Sequence, residues 1–370
     1  MTVERRFVGL PSPVVGRAGA GGHPCQGLYH HLASERPRVA FVATHFNIDF
    51  AEHYLAEPLA RRGFGFLGWN TRFRGNEAYF LLDHALAEIA VGVNWLREEA
   101  GAEIVVLLGN SGGGSLMAAY QSQAVDPVLE PSHGFRPLEA IGDLPPGDLY
   151  VALAAHPGRP EVLTAWMDPS ITDEADPLSV DPALDPFHPD NGPPYDASFV
   201  ERYRAAQRDR NDRITAWALD ELARLSAAGV SDRLFTLPRT WADLRMLDAD
   251  LDPSEREVPA CYLGDPHRAN YGVFGIGTLN TLRTWLNMWS MERSPCRAAP
   301  HLAKVRLPSL VVQGLADTGV FPSDARGIAE GLAADDVTLE LIAGDHYFLK
   351  PDGVRDDVAD LLAAWVEKRT

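Results

Sequence analysis

The chain reads as an α/β protein: a mostly parallel, doubly wound sheet interrupted by a large helical insertion. Three observations predict this. Apolar runs of strand length, unbroken by charge, alternate with amphipathic helical patterns at both ends of the sequence. Strands of that kind belong to parallel sheets covered on both faces. The alternation stops near residue 157, resumes near 301, and leaves a stretch rich in proline, tryptophan and methionine between. With 370 residues, 46% of them hydrophobic and 23% charged, the chain fits one large domain or a core plus an insert.

The elements follow in order. "RVAFVATHF" (38–46) predicts a buried strand, its valines and aromatics free of charge. A helix is expected in "FAEHYLAEPLARRG", closed by Gly63, and a strand in "FGFLGWN". "EAYFLLDHALAEIAVGVNWLREEAG" predicts a long amphipathic helix, and "EIVVLLG" the next strand. A helix from about 113 to 125 and a strand in "GDLYVALAAH" (147–156) complete the first block. The insert opens with "DPSITDEADPLSVDPALDPFHPDNGPP" and continues into "SFVERYRAAQRDRNDRITAWALDELARLSAAG", a long helix. Ser198 and Glu201 have capping-box spacing at its start, and Gly229 suits its end. Its charged run is expected to form a wet helix face. A further helical run, "TLNTLRTWLNMWSMER", lies near 278–293.

Five of the eight tryptophans (Trp166, Trp217, Trp241, Trp285 and Trp289) and four of the six methionines fall in this insert. A segment so rich in large apolar groups should fold onto something. The second block supplies the strand "SLVVQG" (309–314), the helix "PSDARGIAEGLA", the strand "VTLELIAG" (337–344) and a final helix. In that helix Val354, Val358, Leu361, Leu362 and Trp365 keep the i, i+3/4, i+7 spacing. Residues 1–156 and 301–370 are therefore expected to form the core, and 157–300 a mostly helical cap. "GRAGAGGHP", near 16–24, is expected to be a mobile turn.

A net charge of −18 argues against nucleic acid or an anionic membrane as a partner. It also disfavours polyanionic substrates, unless basic side chains gather locally. Cys25, Cys261 and Cys296 are odd in number and widely spaced, giving neither a disulfide framework nor a zinc pattern. Buried, reduced thiols of a cytoplasmic protein are the expectation. The N-terminus "MTVERRFVGLPSPVVG" lacks the apolar core of a signal peptide, and no run approaches the ~20 apolar residues of a spanning helix. The aspartate-rich segment 168–190 lacks the D-x-[DN]-x-[DN]-G loop that binds calcium, and reads as a proline-broken, solvated loop. No metal or cofactor is expected, and a homo-oligomer is left open.

The chemistry is concentrated in "EIVVLLGNSGGGSLMAAY", residues 103–120. A dinucleotide fingerprint would need a glycine at Ser111, where the backbone must approach pyrophosphate. A phosphate-cradling P-loop would need a lysine, which this turn lacks. The pattern G-x-S-x-G is met by Gly109, Asn110, Ser111, Gly112 and Gly113. In such an elbow a sharp strand-to-helix turn holds the serine in a strained conformation, its Oγ projecting from the sheet. The flanking glycines are required because a Cβ would clash with the adjoining strand and helix. The elbow then requires an acid and a histidine at the ends of later strands. Asp317 follows "SLVVQG" and His346 follows "VTLELIAG". Asp345 is a rival acid, but adjacent to His346 it would reach the ring poorly.

On these residues the chain resembles α/β-hydrolase-fold enzymes over roughly 36–156 and 303–368, with the insert where that family places its cap. The resemblance implies Ser111 as nucleophile, His346 as general base and then acid, and Asp317 as the group that orients the imidazolium. It implies an oxyanion hole with Gly112 as one donor. The family usually reads His-Gly-X after the strand that here is "RVAFVATHF". Here the stretch is His45, Phe46, Asn47, so register gives Asn47 as second donor and Phe46 as runner-up. "NTRFRGNE" keeps only Arg72 and Gly75 of another family pattern.

His45 either braces its loop or touches substrate, and His156, in "HPGRP", sits where the pocket wall should be. Trp166 and the other large apolar groups of the cap suit an apolar acyl or alcohol pocket. Serine at the elbow points to acyl transfer and away from displacement at sp³ carbon, which family members perform with a carboxylate. The implied activity is cofactor-independent hydrolysis of a small or medium, largely apolar carboxylic ester. A C–C bond hydrolase, an amidase or a thioesterase would use the same triad. A C–C hydrolase would also call for a buried arginine facing the pocket. A non-catalytic binding protein would keep the fold alone.

Overall fold

The computed structural model describes residues 2–14, 21–33, 36–131 and 138–370. Residues 16–20 of the expected glycine-rich turn lie outside these. Eight strands make one sheet: β1 (Val3–Leu10), β2 (Cys25–Leu32), β3 (Val39–Ala43), β4 (Gly65–Asn70), β5 (Ile104–Asn110), β6 (Leu149–Leu153) and, past the insert, two more. A short ribbon inside the insert takes the labels β7 (Leu234–Thr236) and β8 (Leu279–Thr281). The sheet then ends with β9 (Ser309–Gly314) and β10 (Val337–Ile342). Its spatial order is β1-β2-β4-β3-β5-β6-β9-β10. Only β2 runs against its neighbours; all pairings from β4 to β10 are parallel. This is the α/β-hydrolase fold.

The inner parallel strands β3, β4, β5, β6 and β9 are buried on both faces because both are covered, while β10 at the edge is half exposed. Val105 and Leu107 of β5 face one cluster, with α2 (Leu82–Trp95) and α3 (Gly113–Val125). Val106 and Leu108 face the other, with α1 (Ala56–Arg61) and the C-terminal helix Val354–Glu367. Successive side chains of a strand point to opposite faces, so a five-residue apolar run feeds two cores at once. The insert extends the first core: Met167, Trp285, Met288 and Trp289 lie in the same apolar cluster as Leu82, Leu86 and Leu116. Trp285 and Trp289 are thus buried against the body, Trp166 and Trp241 lie in a second cluster built mostly from the insert itself, and Trp217 is half exposed.

Several local expectations are corrected. The helix expected over 50–63 begins only at Ala56, because His53 caps its own turn, accepting the Leu55 N–H at Nδ1. The long insert helix, α5 (Ala197–Ala227; the intervening α4 is Arg159–Trp166), is capped by Asp196, which accepts the Phe199 N–H at 2.7 Å. Ser198 therefore sits inside the first turn, donating back to Asp196. Gly229 does take the left-handed conformation, φ 75°, after the helix. The face of α5 expected to be wet carries a buried exception, Arg210, clamped by Glu174. Residues 279–281, expected to be helical, pair as β8 with β7 before Thr281 caps the next turn. In the aspartate-rich segment, Asp168 is fully buried against Arg239 and Asn270. Asp173, Asp176, Asp181 and Asp185 each accept a backbone N–H two residues on, as turn-forming aspartates do. All three cysteines are buried and unpaired. Among the described residues no helix is long and apolar enough to cross a membrane.

Candidate active site

Ser111 leaves the carboxyl end of β5 with φ 55°, in the left-handed region where only strong local constraint keeps a non-glycine residue. The constraint is visible. Its N–H donates to Leu153 O of β6, and its carbonyl accepts from Gly114 N and His156 N. Asn110 ties the turn sideways, Nδ2 donating to Leu153 O and Oδ1 facing His53 Nε2 at 3.1 Å. The glycines are required by contact. A Cβ on Gly109 would lie 2.5 Å from Gly114 Cα, and one on Gly113 2.4 Å from Thr44 O. Ser115, one turn on, donates to Gly112 O and is structural.

The three expected partners meet. His346 Nε2 lies 3.2 Å from Ser111 Oγ, and His346 Nδ1 lies 2.7 Å from Asp317 Oδ2. They come from the ends of β5, β9 and β10, brought together by strand order rather than by sequence. Asp317 is fully buried and its other oxygen accepts the N–H groups of Gly319 (2.9 Å) and Val320 (3.0 Å). It is thus fixed to its own loop and does not cap the next helix. The rival Asp345 instead accepts the N–H groups of Tyr347 and Leu349.

One member of the site was not visible in the sequence. Tyr262, from the insert, packs against the His346 ring, tilted by 34° at 4.4 Å between centroids. Its hydroxyl donates to Asp317 Oδ1 at 3.2 Å and lies 2.9 Å from His346 Nδ1. Burial, then the Asp317 carboxylate, holds this phenol well above its usual range, so it stays a donor. A Cβ on Gly319 would strike the Tyr262 ring at 2.3 Å. The glycine at 319 is the local signal that something large must approach there.

The loop after β3 departs from the expected register. Asn47 N–H donates to His45 Nδ1 (3.4 Å), as does Ile48 N–H (3.3 Å). His45 therefore braces its loop and carries its proton on Nε2, which points to the elbow: a Cβ on Gly112 would be 2.7 Å from it. The Asn47 amide is directed away from the role that register assigns it. Phe46 is buried, its ring beneath the Arg159 guanidinium.

His156 and Trp166 reach the site together. The His156 ring is 6.2 Å from that of His346 and 5.9 Å from that of Trp166, and Trp166 in turn meets Tyr262. Burial, with neighbouring His346 and Arg159, pushes His156 well below the usual histidine range, and burial and Arg159 do the same for His45. Both stay neutral at pH 7. Cavities of about 690 and 660 Å³ lie elsewhere, the first on the insert against α5 and the second at its junction with the body. Neither is lined by Ser111.

No family model matches this sequence, and no curated protein matches it either. Solved structures do. Hypothetical protein PA2218 from Pseudomonas aeruginosa is similar over 100% of this chain and 94% of its own, with TM-score 0.52 and 13% identity. DcsB, solved with a substrate analogue, is similar over 93% of this chain and 94% of its own, with TM-score 0.51 and 12% identity. A monoacylglycerol lipase from Paleococcus ferrophilus covers 100% of both chains at 15% identity and TM-score 0.46. At such identities the likeness to the first two speaks to the fold alone.

Proposed function

We propose that this chain is a serine hydrolase that cleaves a carboxylic ester through an acyl-enzyme on Ser111. The observation that carries the reading is the relay Asp317–His346–Ser111, with bonds of 2.7 and 3.2 Å, built on a serine held at φ 55°. A serine hydroxyl is a weak nucleophile until a base takes its proton as it attacks. In this reading His346 Nε2 takes that proton while Oγ bonds to the acyl carbon, and then delivers it to the departing alkoxide. Water, deprotonated by the same nitrogen, attacks the acyl-enzyme and releases the acid and Ser111. Asp317 holds Nδ1–H and stabilises the transient imidazolium.

Gly112 N–H supplies one donor to the oxyanion. With Asn47 N–H engaged by His45, the second comes from the pair before it, Phe46 N–H or His45 Nε2–H. The wall of Trp166, Trp241 and Tyr262 supports an apolar contact surface for substrate. Wild-type protein should be labelled by a fluorophosphonate probe and should hydrolyse 4-nitrophenyl esters, and Ser111→Ala should lose both. A wild type that neither labels nor turns over any ester would sink the proposal.

A further inference from the structure

Arg159, the first residue of α4, is almost fully buried, its side chain 3% exposed. Its guanidinium lies between two rings, 5.1 Å from Phe46 and 4.6 Å from Trp289, which fixes its plane. Among the described residues one hydrogen bond holds it, Nη2 to Glu77 Oε2 at 3.3 Å. That carboxylate is shared: Oε2 also takes the Asn47 side-chain amide, and Oε1 takes the Gly277 N–H. Arg159 Nε is buried with no partner among the described residues. Nη1 is turned to the elbow, where a Cβ on Gly112 would lie 3.0 Å from it.

A guanidinium out of water is costly unless its five N–H donors are matched, and one long bond leaves most of them unmatched. A buried polar group with most of its donors unmatched calls for an explanation, and among those donors Nη1 is the one turned to the elbow, where a substrate can reach it. We propose that Arg159 binds a carboxylate of the substrate, so that the preferred esters are half-esters of short dicarboxylic acids. The proposal rests on Ser111 being the nucleophile, since the arginine is placed by its distance from the residue next to it, and on the cleaved bond being an ester, since a C–C bond hydrolase would call for the same arginine. Guanidinium donors match carboxylate oxygens in number and direction, and such charge-assisted bonds are the strong ones. The short reach to Gly112 puts the carboxylate within a few carbons of the scissile carbonyl. The chain's net charge of −18 does not oppose this, because distant surface charge is screened beyond about 8–10 Å at physiological salt while the local donor is not. An amide, an alcohol or an alkyl chain in the same place would leave the donors unmatched.

The test compares monoethyl malonate, succinate and glutarate with ethyl butanoate by kcat/KM. Wild type should favour at least one half-ester. In Arg159→Met the ratio of half-ester to ethyl butanoate should fall about 10–100-fold, the worth of a bond to a charged group. Arg159→Lys should restore part of the ratio. An unchanged ratio in Arg159→Met, or a wild type that favours ethyl butanoate over all three half-esters, overturns the proposal. A second measurement needs no variant. Malonate, succinate or glutarate should slow fluorophosphonate labelling of wild-type Ser111 more than the matching diamide does; equal effects for all three pairs overturn it. Labelling itself reports the nucleophile, so a protein that labels without preferring acids fails here alone, and one that does not label fails in the reading beneath.

Discussion

Replacing Asp317 by asparagine tests the relay through the direction of a single amide. In the native site Asp317 Oδ1 accepts three donors: Gly319 N–H, Val320 N–H and the Tyr262 hydroxyl. These force the asparagine to put its carbonyl oxygen where Oδ1 stood, so its NH₂ faces His346 Nδ1, 2.7 Å away in the native pair. The competing contact, Gln313 Nε2 to Oδ2, is 3.4 Å long and too weak to reverse this choice. Nδ1 must then accept, the imidazole proton moves to Nε2, and Nε2 can no longer take the proton of Ser111. Wrong-tautomer losses of this kind are about 10⁴-fold in kcat, or ~5.5 kcal/mol of barrier. The assay is kcat on a 4-nitrophenyl ester with folding checked by denaturation. Asp345→Asn is the control, since that carboxylate is spent on Tyr347 and Leu349 N–H. Its kcat should be unchanged. An Asp317→Asn protein within about tenfold of wild type would refute the reasoning, because the tautomer switch cannot be that mild.

Three further outcomes follow from the contacts and buried groups. Gly109→Ala places a Cβ 2.5 Å from backbone atoms that cannot yield cheaply, and should lower stability by roughly 3 kcal/mol or more and abolish fluorophosphonate labelling. Gly327→Ala, in the helix Pro322–Gly331 with nothing within 4 Å, should instead stabilise by ~0.5–1 kcal/mol; urea denaturation of both decides this. Burial holds His53 at about 4, below its ordinary value, so between pH 6.5 and 4 the unfolded chain binds a proton that the folded chain refuses. Stability from this group is complete above pH 6.5 and is lost as pH falls towards 4, by ~3 kcal/mol in all. Urea melts of wild type and His53→Gln across pH 7 to 4.5 should show a shallower decline in the variant.

Much of the site was legible because its chemistry is tied to local patterns. Ser111, Asp317 and His346 each follow a strand-length apolar run within four residues; β5 and β9 are buried on both faces, while half-exposed β10 at the sheet edge carries a single charge, Glu340, and so still reads as a strand. β1 was not legible for the opposite reason. It lies at the sheet edge, four consecutive residues of "VERRFVGL" are exposed, and charges at an edge hide a strand while protecting it from mispairing. The N-terminus of α5 was misread by two residues because aspartate and serine are both good caps and only the backbone angle at Asp196 chooses between them. The register of the oxyanion loop failed where His45 offers its own Nδ1 to the amides that the pattern assigned elsewhere.

By itself, the sequence determined the fold class and which serine, aspartate and histidine stand just past the ends of β5, β9 and β10, because each is written in residues adjacent along the chain. Only the tertiary structure decided what surrounds the serine. Tyr262 meets His346 across 84 residues and Arg159 meets Glu77 across 82, while the relay itself closes over 235 between Ser111 and His346. Periodicity records which face a residue shows to the core, and carries nothing about which residue the core will set opposite. Whether an arginine is a surface charge or a buried, half-matched donor beside the elbow depends on that second fact alone.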